Sequence, residues 1–137
     1  MKKTKLLNSD LSAIIALMGH TDTIAIGDAG LPVPDSSKRI DLAVRRDLPS
    51  FLDVLEAVLY ELEVEEVTIA SEMINENPDL YNKITERFIS TKINCVEHSK
   101  FKEMTGSCRA VVRTGECMPY ANIILHSGVA FSCSDEK

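Results

Sequence analysis

Apolar side chains near the start of the chain recur with the spacing of an α-helix. The run NSD at residues 8 to 10 supplies good N-cap residues, and the apolar positions after it follow the i, i+3, i+4, i+7 pattern: Leu11, Ile14, Ile15 and Met18. Gly19 lies where such a helix commonly ends. The pattern therefore predicts one amphipathic helix, with His20 at its exit.

Three later segments are also predicted to be helical. Residues 49 to 63, PSFLDVLEAVLYELE, place an apolar stripe on one face and begin with PS, a favourable helix start. Residues 77 to 91 have an amphipathic pattern that opens with NP. Residues 99 to 105 are long enough for a short helix.

Short runs of apolar residues, most of them rich in β-branched side chains, lie between these helices and predict strands. They cover residues 22–27, 39–44, 65–72, 93–98, 108–116 and 122–128. Because strands and helices alternate, we predict a single-domain α/β fold. It is a three-layer α/β/α sandwich whose central, largely parallel sheet is covered on both faces.

Composition agrees with one domain and removes several classes of partner. The chain has 137 residues, 45% of them hydrophobic, and we assign residues 1–131 to the domain and 132–137 to a polar tail. The formal net charge is -6 and the basic residues are scattered, so we expect no nucleic-acid partner. No run approaches the ~18 apolar residues of a membrane span. The polar run NSD interrupts the N-terminal segment where a signal peptide would need its apolar run. We therefore expect a cytoplasmic protein that does not bind membranes.

The motifs of metal, nucleotide and covalent chemistry are missing. None of the four cysteines forms a C-x-x-C pair, and we expect buried thiols rather than zinc ligands or disulfides: Cys95, Cys108, Cys117 and Cys133. The sequence has no G-x-S-x-G nucleophile motif and no G-x-x-x-x-G-K-[ST] phosphate loop. We therefore predict neither a metal nor a cofactor.

Polar side chains fall at the predicted ends of two strands and in the last connection. Asp28 and His98 each end or follow a strand, and ligands of α/β sheets bind at the carboxyl ends of strands. Tyr120 and Asn122 differ by two positions, so on an extended segment their side chains point to the same face. A carboxylate, an imidazole, a phenol and an amide suit the directional hydrogen bonds of a sugar.

Each of these residues also has an ordinary structural interpretation. His20 suits a helix C-terminus, where its charge is favourable, and Asp28 beside Gly and Pro suits a turn that binds its own backbone. Comparable roles remain open for the others: a helix start for His98, aromatic packing for Tyr120, a turn for Asn122, a strand position for His126, and solvated charges for Lys102 and Arg113. Spacing alone therefore stops at an α/β domain with a polar pocket.

Four segments together carry a resemblance to a known family. These are LNSDLSAIIALMGHTDTIAIGDAGLPVP, RIDLAV, PSFLDVL and RTGECMPYANIIL, and they closely resemble the D-ribose pyranase family. The resemblance extends from Met1 to about Phe131. L-fucose mutarotases share the MGH and GE…Y.NI features, whereas DAGLPVP followed by RIDLAV resembles the ribose branch.

The resemblance implies a cofactor-free isomerase that interconverts the pyranose and furanose forms of D-ribose. It also implies ring-like homo-oligomers, decamers of two stacked pentamers, with sites between neighbouring subunits. Carried over by position, His20 matches the proton donor, and the sugar-binding positions are Asp28, His98, Tyr120 and Asn122, with Lys102 near the sugar.

Other functions stay open at this point. They are a mutarotase for fucose or another sugar, a non-catalytic sugar-binding module, and a metal-dependent hydrolase using His20, Asp22 and His98, although no H-x-H or H-E-x-x-H spacing supports the last. A six-residue strand also spans roughly 20 Å. His20 and Asp28 therefore reach one sugar only if the segment bends or if they serve different sites across a subunit boundary.

Overall fold

A six-stranded sheet forms the centre of the computed structural model, which describes residues 1–132. Its strands are β1 (Thr23–Gly27), β2 (Lys38–Asp41), β3 (Val64–Ala70), β4 (Lys92–Val96), β5 (Ala110–Arg113) and β6 (Ile123–Ser127). The helices are α1 (Ser9–Leu17), α2 (Phe51–Leu59), α3 (Met73–Glu76), α4 (Pro78–Arg87) and α5 (His98–Thr105). The predicted α/β class is confirmed.

The strand order is β2-β5-β1-β6-β3-β4, and the sheet is mixed. Three strand pairs are parallel: β1 with β5, β2 with β5, and β3 with β4. β6 lies antiparallel between β1 and β3. Only residues 114 to 122 separate β5 from β6, and a parallel crossover needs a dozen or more residues. The largely parallel sheet of the prediction therefore has one reversed strand.

Helices pack on both faces of the sheet, in unequal numbers. The larger core contains Ile24 and Ile26 of β1 together with buried side chains of α1, α2, α3 and α4. Ala25, which points to the opposite face, packs with Leu31 and with Phe101 of α5. One layer therefore holds four helices, and the other holds α5 and the segment that follows β1.

The first helix begins as predicted and ends one residue early. Asn8 is its N-cap, and the Asn8 Oδ1 accepts a hydrogen bond from the Leu11 N–H at 2.9 Å. Met18 caps the other end in an extended conformation. Gly19 follows this cap, and its φ is not positive. The helix still delivers His20 into the connection before β1.

One prediction near the fourth strand is wrong, and one short helix was not predicted. The strand predicted over residues 93–98 ends at Val96, and His98 is the first residue of α5, which confirms the alternative of a helix start. Glu72 accepts the His98 N–H, one of the backbone donors that a helix leaves unpaired in its first turn. The four-residue helix α3 was not predicted, because a single turn is too short to show a helical period.

The cysteines only partly follow the expectation of buried thiols. Cys108 is buried, but Cys95 and Cys117 are exposed, and all three are free thiols. Cys95 is exposed because β4 is an edge strand of the sheet. Cys133 and the rest of the predicted tail after Ser132 lie outside the described residues. None of the described helices has the length and apolar character needed to cross a bilayer.

Candidate active site

A pocket of about 340 Å³ lies at the edge of the sheet where β1 and β4 end and β6 begins. Its wall includes five residues named from the sequence: Asp28, His98, Lys102, Tyr120 and Asn122. Because β6 is antiparallel to β1, the residue before β6 comes to the same edge as the residue after β1. The topology therefore brings together side chains that are far apart in the sequence.

Asn122 joins the two central strands at this edge. Its side chain is buried, and its Oδ1 accepts a hydrogen bond from the Asp28 backbone N–H at 2.9 Å. Gly27 permits this close approach, because a Cβ at that position would clash with the Leu31 side chain and lie 2.9 Å from the Asn122 Oδ1. The Asn122 Nδ2 is buried with no hydrogen-bond partner. It is therefore an available donor in the wall of the pocket.

Asp28 is a half-buried carboxylate in the turn after β1. Its Oδ1 accepts the Gly30 N–H at 2.9 Å, so the turn-aspartate interpretation and the pocket interpretation both hold for this residue. Burial raises the pKa of the Asp28 carboxyl, and the hydrogen bond from the Gly30 N–H offsets part of that rise. The pocket therefore contains a carboxyl group that holds its proton more tightly than usual.

His98 is positioned by hydrogen bonds of its backbone and by two aromatic neighbours of its ring. The His98 N–H donates to the two carboxylate oxygens of Glu72 at 3.0 and 3.1 Å. Its ring stacks on Phe101, with centroids 6.3 Å apart, and lies T-shaped to the Tyr120 ring, with centroids 5.1 Å apart. The His98 Nδ1 is buried without a hydrogen-bond partner. A ligand in the pocket is the natural partner for such an atom, because buried polar groups are normally paired.

Glu72, whose carboxylate positions His98, was not predicted from the sequence. Burial opposes its ionisation, but hydrogen bonds from backbone N–H groups, including that of His98, outweigh burial and lower the Glu72 pKa. Glu72 follows β3 by two residues. The strand-end reasoning that selected Asp28 would therefore have found it too.

The loop that carries Tyr120 is fixed from behind by two further polar side chains. Asn77 donates from its Nδ2 to the Pro119 carbonyl at 3.0 Å. The Glu116 carboxylate accepts the Phe51 N–H at 3.1 Å and the Met118 N–H at 3.3 Å. The loop is therefore tied to the starts of α2 and α4.

Tyr120 and Asn122 do not lie on one extended segment, the condition under which strand alternation would place their side chains on one face. Tyr120 has a φ of 56°, in the left-handed region, and its carbonyl accepts the Asn122 N–H at 2.9 Å. The two side chains nevertheless line the same pocket. A tight turn, rather than strand alternation, brings them together.

His20 is the one predicted site residue that lies outside this pocket. It comes before β1, at the end of the strand opposite Asp28, and its side chain is 52% exposed. Its Nε2 is paired with the Glu65 carboxylate at 3.0 Å, so it does not cap α1. The segment between His20 and Asp28 does not bend back, which leaves the subunit-boundary alternative.

The hydrolase trio does not form a site in this chain. Asp22 pairs with Arg109, and His98 lies at the pocket edge, away from His20. Among residues 1–132, no three His, Cys, Asp or Glu side chains are grouped as metal ligands. Arg113 is not a simple solvated charge, because it donates to the Ala29 carbonyl at 3.0 Å and pairs with Asp41.

Comparison with known proteins identifies the family. The model of the RbsD / FucU transport protein family matches residues 1–130. The chain belongs to this family.

Two RbsD / FucU relatives named D-ribose pyranase are similar over nearly the whole chain. The protein of Clostridium botulinum (strain Eklund 17B / Type B) is 55% identical over 131 residues, 96% of this chain and 100% of the relative. That of Geobacillus thermodenitrificans is 53% identical over 132 residues, again 96% and 100%.

Solved structures of RbsD / FucU proteins share the fold. Bacillus subtilis RbsD in complex with D-ribose has a TM-score of 0.93 and 44% identity, covering 96% of this chain and 100% of that chain. The Streptococcus pneumoniae fucose mutarotase in complex with L-fucose has a TM-score of 0.76 and 25% identity, covering 93% and 96%. The ribose-bound structure is thus much more similar in both fold and sequence.

Proposed function

We propose that this protein is a D-ribose pyranase, which interconverts the pyranose and furanose forms of D-ribose by opening and reclosing the hemiacetal ring. The observation that carries the proposal is the pair of unpartnered buried atoms in the pocket, Asn122 Nδ2 and His98 Nδ1, beside the Asp28 carboxylate. Buried sites of this kind select ligands that can satisfy their hydrogen bonds. The relatives named D-ribose pyranase support D-ribose as that ligand.

The chemistry needs only proton transfers. Ring opening requires a proton given to the ring oxygen and a proton taken from the anomeric hydroxyl, so a site must supply an acid and a base. The open-chain aldehyde then recloses through a different hydroxyl. In this proposal Asp28, His98, Tyr120 and Asn122 bind the sugar, Lys102 approaches it, and His20 is the proton donor.

We further propose that His20 reaches the sugar from a neighbouring subunit. A head-to-tail contact would put the His20 end of one chain over the pocket of the next, and such contacts close into rings. The opposite charges of the two surfaces support such a contact. Glu63 and Glu65 are exposed at the His20 end, while Arg45 and Arg46 are exposed in a groove that adjoins the pocket. The proposed assembly is a homodecamer of two stacked pentamers, acting in the cytoplasm.

The activity test is saturation-transfer NMR on D-ribose with and without enzyme. We expect faster exchange between pyranose and furanose signals, and the same measurement on L-fucose separates a fucose mutarotase from a ribose pyranase. A non-catalytic sugar-binding module would bind ribose and leave the exchange rate unchanged, which would contradict the proposal. Light scattering on the same sample measures the number of subunits.

Replacing His98 by alanine is expected to weaken ribose binding. A neutral hydrogen bond to a sugar hydroxyl acts in the ground state and in the transition state alike, and its loss costs about 0.5–1.5 kcal/mol. Half-saturation should therefore rise by no more than about tenfold, with little change in the maximal exchange rate. A large fall in the maximal rate, with binding unchanged, would instead assign proton transfer to His98.

A further inference from the structure

Ring opening in the proposed function leaves one of its two proton transfers without a residue. His20 gives a proton to the ring oxygen, but a second group must take the proton of the anomeric hydroxyl. The assignment of that second group rests on the proposed function. Five polar side chains line the pocket wall of one chain: Asp28, His98, Lys102, Tyr120 and Asn122.

The candidates differ in whether they can accept a proton. The Lys102 ammonium offers donors only, and the Asn122 amide is not a base. The rings of His98 and Tyr120 lie T-shaped to each other, with centroids 5.1 Å apart, and Phe101 stacks on the same imidazole. An ionised Asp28 carboxylate is an acceptor on both oxygens. It is also the one carboxylate among the residues that line this pocket.

The geometry of Asp28 favours a reacting role over a purely structural one. Its backbone N–H is held by Asn122 and one carboxylate oxygen by Gly30, so the group is fixed in the pocket before a ligand arrives. It is half-buried, and burial raises its pKa, which makes its carboxylate a stronger base than an exposed one. A surface ion pair would have the opposite effect on that pKa.

We infer that Asp28 is the general base for the anomeric hydroxyl, in addition to contacting the sugar. In the opening step the O1–H proton moves to the Asp28 carboxylate, the C1=O bond forms, the C1–O5 bond breaks, and O5 takes the proton of the His20 imidazolium. In the closing step a different hydroxyl attacks C1 and gives its proton to His20. The carbonyl oxygen then takes the proton back from the Asp28 carboxylic acid, so both residues return to their starting states.

The test begins with Asp28→Asn, which keeps the size and hydrogen-bonding capacity of the side chain but cannot accept the proton. We expect the maximal exchange rate to fall at least about 100-fold, while half-saturation by ribose changes much less. Asp35→Asn is the matched control, because Asp35 is an exposed carboxylate in the same connection after β1 and outside the pocket wall. Its exchange rate should equal that of the wild type.

Two further readouts separate a base from a binding residue. Formate should restore part of the exchange rate to Asp28→Ala, in proportion to its concentration, because it can occupy the vacated space and accept the proton. In the wild type, the logarithm of the exchange rate should fall with a slope of one against pH as the pH drops below the Asp28 pKa, and Asp28→Asn should lack this decline. The pocket wall also contains three other titratable residues: His98, Lys102 and Tyr120. Because the decline belongs to Asp28, the alanine variants of these three residues should keep it.

Stability gives an independent check that the variant is folded. The native state holds the Asp28 proton more tightly than the unfolded chain, so its contribution to stability is present at low pH and is lost as pH rises through the native pKa. Asp28→Asn, which mimics the protonated form, should be at least as stable as the wild type at neutral pH. A wild-type maximal rate in Asp28→Asn, or failure of formate to rescue, overturns this inference. Absence of exchange in the wild type would overturn the proposed function instead.

Discussion

Replacing His20 by alanine is expected to lower the maximal rate of ribose ring exchange about 100-fold or more, while ribose still binds. The expected split between rate and binding follows from the position of His20. It lies outside the pocket that contains the sugar-binding positions, and its interaction with the ring oxygen strengthens only as the ring opens. NMR exchange rates measured over a range of ribose concentrations separate the two effects. Full maximal rate with weaker binding would remove His20 from proton transfer.

A mixing experiment tests whether His20 and Asp28 act across a subunit boundary. His20→Ala and Asp28→Ala chains, each inactive by itself, are unfolded together and refolded as mixed oligomers. If each site combines Asp28 of one chain with His20 of the next, random mixing in a ring restores about a quarter of the sites. Separately refolded variants, combined without exchange of subunits, are the control. If verified mixed oligomers recover no exchange activity, the prediction is contradicted. His20 and Asp28 would then either serve a site within one chain or not act on the same sugar.

Gly115→Ala is expected to destabilise the protein strongly, because the added methyl group meets three backbone atoms. A Cβ at Gly115 would lie 2.5 Å from the Arg45 carbonyl oxygen and 2.6 Å from both the N and the O of Leu48, and all three are backbone atoms. The surrounding turn is held by hydrogen bonds from the Gly115 N–H to Pro49 and from the Asp47 N–H to Gly115. Because backbone cannot rotate away as a side chain can, we expect a loss of about 3 kcal/mol.

Thermal unfolding at fixed protein concentration measures this effect, and a loss of that size corresponds to roughly 10 °C for a chain of this length. Gly19→Ala is the matched control. The nearest atom to its added Cβ is the Asp22 Oδ2 at 3.8 Å, an ordinary contact, and its φ is not positive. An equal fall in both variants would show that the crowding around Gly115 is not the cause.

Most of the elements could be predicted from local pattern, because local pattern is what forms them. Asn8 caps α1 and the apolar face behind it is buried, as the spacing of Leu11 and Ile14 indicates. The short connection from β5 indicates the reversed direction of β6. Which strands β6 pairs with could not be predicted from local pattern, because those pairings join Ile24 to Leu125 across about a hundred residues.

The site residues that follow clear local elements could be predicted from the sequence, and the others could not. Asp28 follows a clear strand, so its position at the pocket edge was predictable from the rule for strand ends. His98 reaches the same pocket from the start of α5, which was one of the two interpretations left open for it, and Tyr120 reaches it from a left-handed turn that the pattern did not predict. Glu72 also follows a strand, so the same rule applies to it, whereas the roles of Asn77 and Glu116 depend on tertiary contacts with backbone groups, which leave no periodic signal.

The position of β6 has a consequence for how the chain folds. It is the last strand of the described chain, and it alone joins the β2-β5-β1 half of the sheet to the β3-β4 half. Both of its ladders close loops of about 60 to 100 residues, so the contact order is high and folding is expected to be slow for a chain of this size. Until residues 123 to 127 insert, two partial sheets expose the unpaired edges of β1 and β3, the kind of edge that drives aggregation during synthesis.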